Sequence, residues 1–118
     1  DPVPDYRLKM GARLEPTGQL GGWWRDSVSA PLNEVLAGCT VVDPLPQEHR
    51  AAFLPDRGSL AAYLCVNLVD ANGASGGHAA KAAKGRLVRH LVETCPMSSR
   101  VPQTVMAFRD GPYRAVIE

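Results

Sequence analysis

A chain of 118 residues and 12.7 kDa has room for one compact domain, which excludes a barrel enzyme or a two-domain dinucleotide enzyme. Hydrophobic residues at 45% and charged residues at 21% are ordinary for a folded chain and exclude disorder throughout. Thirteen Lys and Arg against twelve Asp and Glu leave a net charge of +1, which argues against a general nucleic-acid binder.

Residues Asp1 to Asp5 hold two prolines and are expected to form an extended arm. Tyr6, Leu8, Met10, Ala12 and Leu14 then alternate with polar or small residues, the period-2 pattern of a half-buried strand. Trp24, Val28, Leu32, Val35 and Leu36 fit a helical stripe, but Pro31 is best tolerated in a first turn. A short helix over Pro31 to Ala37 is therefore expected, capped by Ser29 and stopped by Gly38. A strand is the alternative there. Cys39 to Val42 is β-prone, and Gln47 to Arg57 reads as a polar loop.

Leu60 to Asp70 is nearly continuous in apolar residues, as strands buried on both faces are. Ala71 to Gly77 is a glycine-rich loop. His78 to Cys95 reads as the main helix, with Ala80, Ala83, Leu87, Leu91 and Cys95 on one face and Pro96 ending it. Thr104 to Phe108 and Tyr113 to Ile117 read as the strands of a hairpin turning at Arg109 to Pro112, where Asp-Gly is the signal. The order predicts an α+β fold with a small antiparallel or mixed sheet, barrel-like in the limit, one long helix and one short helix. A ferredoxin-like βαββαβ arrangement is the alternative. Residues 6–118 are expected to form a single domain, cut from a longer protein.

Three cysteines, Cys39, Cys65 and Cys95, show no CxxC pair. Neither a disulfide framework nor a zinc site is expected, and a reducing, intracellular compartment follows. No run of about 20 apolar residues, the length of a membrane span, occurs. His49, His78 and His90 lack a nucleophile at a diagnostic spacing, and G-x-S-x-G is absent. No catalytic residue, metal or cofactor is assigned, although a Cys–His dyad stays open because such pairs meet in space.

Two features carry the functional expectations. Trp23 and Trp24 cannot both enter one core, because adjacent side chains diverge in a strand and in a helix. With Tyr6, Leu8 and Tyr113 they are candidate interface anchors, since Trp and Tyr are enriched at binding hot spots. Gly76 and Gly77 precede Lys81 and Lys84 at a helix start, where backbone amides and cations can hold an anion. This loop resembles the pyrophosphate loop of GNAT-type acetyltransferases, which implies a coenzyme A or nucleotide ligand. The basic run Lys81, Lys84, Arg86, Arg89 and His90 leaves a nucleic-acid-binding alternative.

The run Asp56-Arg57-Gly58-Ser59-Leu60-Ala61-Ala62-Tyr63, followed by Leu68-Val69-Asp70 and Gly73, resembles the C-terminal part of the alphaherpesvirus immediate-early RING ubiquitin ligases, infected-cell protein zero. Arg89 to Thr94 and Phe108-x-Asp110-Gly111 extend the likeness. The resemblance implies a non-enzymatic, homodimeric self-association domain of a viral regulatory protein acting in the nucleus. The element order is also similar to that of the dimeric DNA-binding domains of gammaherpesvirus genome-maintenance proteins. A homodimer without nucleic acid or membrane contact is the favoured expectation.

Overall fold

A computed structural model describes residues 12–15 and 18–118. The expected arm Asp1 to Asp5, and Tyr6 and Leu8 of the expected first strand, lie outside the described residues. Strand β1 is Arg13–Leu14, antiparallel to β2, Gly18–Gln19. Helix α1, Leu20–Leu36, follows directly. Next come β3, Thr40–Asp43; α2, Gln47–Arg50; and β4, Ala62–Val69. A 3-10 turn at Gly77–Ala80 leads into α3, Lys81–Thr94. A second turn at Ser98–Arg100 leads into α4, Val101–Ala107. Strands β5, Arg109–Asp110, and β6, Tyr113–Ile117, close the chain. The α+β class is as expected.

The chain divides into two compact units: Asp1–Ala37 with Leu45–Ser59, and Gly38–Pro44 with Leu60–Glu118. In the first, α1 runs through Pro31, so the helix expected only from Pro31 to Ala37 begins eleven residues earlier. Pro31 removes one amide from the ladder, at a cost of about 3 kcal/mol in a helix interior. Part of the compensation lies one turn apart on α1. The Leu54 amide donates to Ser29 Oγ at 2.9 Å. Asn33 Nδ2 donates to the Leu54 carbonyl at 2.9 Å, and the Asp56 amide donates to Asn33 Oδ1 at 2.7 Å. These bonds turn Ser29 and Asn33 toward the 54–56 segment. The expected stripe is rotated as a result, and Val35 stands 76% exposed.

The second unit is a mixed sheet in the order β3-β4-β6-β5. Strand β4 lies parallel to β3, with Val42 opposite Leu64, and antiparallel to β6, with Leu68 opposite Ala115. The ferredoxin-like alternative does not describe this sheet, whose β3–β4 pair is parallel. Val66 and Leu68 on β4, Ala80, Ala83 and Leu87 along the α3 stripe, Val101 and Val105 on α4, and Ala115 form the core. The stripe read from the sequence is therefore correct through Leu91, which packs against this cluster. Cys95 instead takes a left-handed conformation (φ 43°) beyond the last turn and is exposed.

Thr104 to Ala107 is helical, which corrects the expected strand Thr104 to Phe108. Pro102 suits a first helical turn. Val101 and Val105, four residues apart, are buried together, and that burial overrides the β preference of Thr and Val. The hairpin itself is present but short, with Asp110 opposite Tyr113 and Gly111 (φ 55°) in the turn. Part of the expected polar loop, Gln47–Arg50, is also helical.

Gly76 fixes how closely the 3-10 turn approaches the sheet. Its backbone is ordinary (φ −68°, ψ −21°), so what it supplies is space. A Cβ there would overlap Ala80 Cβ and stand 2.9 Å from the Tyr113 ring. Gly76→Ala is expected to cost about 1–3 kcal/mol by overpacking. Gly85→Ala, in α3 with open space around it, is expected to gain about 1 kcal/mol from helix propensity. Urea denaturation of both variants checks the contrast, and equal effects would contradict it.

Across the same unit, Arg86 on α3 grips Asp110 on β5, with Nε to Oδ1 at 2.9 Å and Nη2 to Oδ2 at 2.6 Å. Hydrogen bonding from Arg86 holds the Asp110 carboxyl below its usual range; partial burial opposes this and the guanidinium charge assists it. A carboxyl lowered in the folded state stabilises above its unfolded pKa, and that contribution fades as pH falls through the folded value. Wild type and Asp110→Asn are therefore expected to differ in thermal midpoint at neutral pH, and the difference is expected to shrink as the pH falls below the ordinary aspartate range, checked by thermal melts across an acid series. The exposed guanidinium keeps the difference small.

Candidate functional site

The glycine-rich loop between β4 and α3 is organised by Asp70. Its Oδ1 accepts from the amides of Asn72 at 2.8 Å and Ala74 at 3.1 Å. Its backbone amide donates to the Ala74 carbonyl, and the Gly73 amide donates to the Asp70 carbonyl. The Gly76 amide donates to the Leu68 carbonyl at 2.9 Å. Gly73 (φ 81°) and Gly77 (φ 53°) occupy conformations that favour glycine. Five backbone amides between β4 and α3 are thus bonded within the protein. Beyond them, Lys81 is exposed on the first turn of α3 and Lys84 is half-buried one turn on.

The rest of the basic run is partly neutralised. Arg86 is paired with Asp110, and Arg89 Nε lies 2.8 Å from Glu93 Oε1. His90 stacks obliquely near Phe108, with ring centroids 6.0 Å apart, while His49 and His78 are exposed. No group of three His, Cys, Asp or Glu among the described residues is arranged to hold a metal ion.

The aromatic candidates divide. Trp23 and Trp24 both lie on α1, 43% and 40% exposed. They meet edge to face, with ring centroids 4.8 Å apart, so each indole covers part of the other. Tyr113 is half-buried on β6, packed against the core and the Gly76 turn. Tyr6 and Leu8 lie outside the described residues. Among the described residues, no helix is long and apolar enough to cross a membrane.

Two features went unread in the sequence. Asp43, at the end of β3, is 5% exposed, and its carboxylate accepts the Tyr63 hydroxyl from the next strand. The parallel register that brings them together has no local signal. The other is legible in retrospect. Val88, Leu91, Val92 and Cys95 follow the i, i+3, i+4, i+7 spacing, a second apolar stripe beside Ala80–Ala83–Leu87. With Thr40, Val42 and Val101 this stripe lines a cavity of about 330 Å³ along β3. Thr40 and Ser98 hydroxyls are hydrogen-bonded nearby. Cys95 and Cys39 are exposed, Cys65 is half-buried, and no disulfide joins the three.

Comparison with known proteins gives the family of the chain. The family model described as "Peroxide stress protein YaaA" matches residues 1–116. A UPF0246 protein of Streptomyces coelicolor is 32% identical over 119 residues, covering all of this chain and 46% of the relative. The chain thus spans about half the length of the curated relative it matches. No solved structure matches the chain.

These matches overturn the herpesviral resemblances, and with them the viral homodimerisation function and the nuclear placement. The residues behind the main likeness are generic strand and turn chemistry. Asp56 caps a turn by accepting from the Gly58 amide at 3.2 Å and the Ser59 amide at 3.0 Å. Ala62–Val69 is an apolar central strand, and Asp70 and Gly73 form the turn that ends it. An apolar strand between two Asp-Gly turns recurs wherever a central strand needs sharp ends. The match over nearly its whole length shows that the chain belongs to the peroxide stress protein YaaA family.

Proposed function

We propose that this chain serves in the bacterial response to peroxide, as one part of a longer protein. The family match over residues 1–116 is the observation that supports this reading. The relative is about twice as long as this chain, which supports reading the complete activity as one of the whole protein. The contribution of this part is to bind and position. Its second unit is a sheet backed by two helices, with Lys81 and Lys84 beside a hydrogen-bonded turn and an apolar groove along β3.

A chimera tests the role. The matching segment of the Streptomyces coelicolor relative is replaced by this chain, in cells deleted for that relative. Deleted cells are expected to lose viability in hydrogen peroxide, and the chimera is expected to restore it. A deletion strain as resistant as its parent, or a stably produced chimera that restores nothing, would overturn the reading.

A further inference from the structure

We propose that the groove between β3 and α3 is the docking surface for the remaining part of the family's protein, which packs an apolar segment along it. The proposal rests on family membership and is independent of the peroxide role.

Ala80, Ala83 and Leu87 are each at most 1% exposed, so one stripe of α3 is spent on the core. Val88, Leu91, Val92 and Cys95 form a second stripe, rotated toward β3. Leu91 belongs to both and packs against the core, whereas Val88 is 47% and Val92 74% exposed. A surface helix needs one apolar stripe, so a second, adjacent one calls for a second partner.

The strand side points the same way. In the described sheet, β3 has one neighbour, β4. Thr40 and Val42, paired with Ala62 and Leu64, face the helix layer. The two layers therefore stay open along one side, where side chains from sheet and helices leave a cavity of about 330 Å³. Met97, just beyond the end of α3, is 71% exposed. A contiguous apolar surface next to an edge strand is a typical docking site, because the edge can be extended and the side chains covered together.

The occupant follows from length and chemistry. More than half of the Streptomyces coelicolor relative lies outside the match, which is ample chain to cover one side of a small sandwich. Among the described residues no charged side chain lines the groove, so the segment seated there presents apolar side chains and not a basic or acidic face.

Cys95 lines the groove and supplies a reporter. The chimera described above and the isolated chain are treated with a maleimide, and labelling of the Cys95 peptide is followed by mass spectrometry. A covered thiol reacts slowly, so labelling in the chimera is expected to be roughly tenfold slower or more than in the isolated chain. Val92→Glu is expected to lower the thermal midpoint of the chimera while leaving that of the isolated chain unchanged. The milder Val92→Thr does the same to a smaller degree. Val35→Glu on α1, equally exposed, leaves both unchanged.

Equal Cys95 labelling in the two proteins would overturn the proposal. So would equal effects of Val92→Thr on both. A concentration-dependent dimer of the isolated chain, abolished by Val92→Glu, would assign the groove to a second copy instead. Failure of peroxide rescue with Cys95 still protected would sink the proposed function and leave this inference standing.

Discussion

The second unit depends on how closely the Gly76 turn can approach the sheet. The Gly76 amide is tied to the carbonyl of Leu68, a core residue of β4. Its missing side chain lets Ala80 and the Tyr113 ring meet over it. Ala80 is the first residue of the buried α3 stripe, so the height of this turn sets the register in which Ala83 and Leu87 meet Val66 and Leu68. Cores pack to near-crystalline density, and a shift of one methyl group at the turn is felt along the helix. The Asp70-centred hydrogen bonds hold the loop that leads into this turn, and the Arg86–Asp110 pair ties the middle of α3 to β5.

This constraint also accounts for the unspent stripe. With α3 anchored by Ala80, Ala83 and Leu87, the helix cannot rotate to bury Val88 and Val92 without withdrawing Leu87 from the core. Removing a leucine from a core typically costs about 2–5 kcal/mol, which offsets what burying Val88 and Val92 would return. The second stripe is therefore held outward by the first and stays available to a partner that comes to it.

Some of this was legible in the residues alone. The α+β class, the central strand at Leu60–Asp70 and the α3 stripe follow from period and composition, because each is set by local burial. Helix α4 was missed because Thr104 and Val105 prefer strands locally, and only the burial of Val101 with Val105 in the core reverses that. The full length of α1 was missed because Pro31 signals a helix start, while the bonds from Ser29 and Asn33 to the 54–56 segment span more than 20 residues. The glycine cluster drew attention as an anion loop; its most constrained member, Gly76, answers to a packing demand that no sequence window contains. The viral likeness failed on the same ground, since strand-and-turn chemistry is shared by unrelated folds. Family membership came from the match over the whole chain, which local motifs do not replace.

One cooperative core joins β4, α3, α4 and β6, and its geometry is set at the Gly76 turn. Native-state hydrogen exchange tests it most directly. The amides of Val66, Leu68, Leu87 and Val105 are expected to exchange slowest and with one common opening free energy, and in Gly76→Ala all four are expected to exchange faster by the same factor. Amides of α3 that open well before those of β4, or a Gly76→Ala effect confined to the turn, would contradict the account.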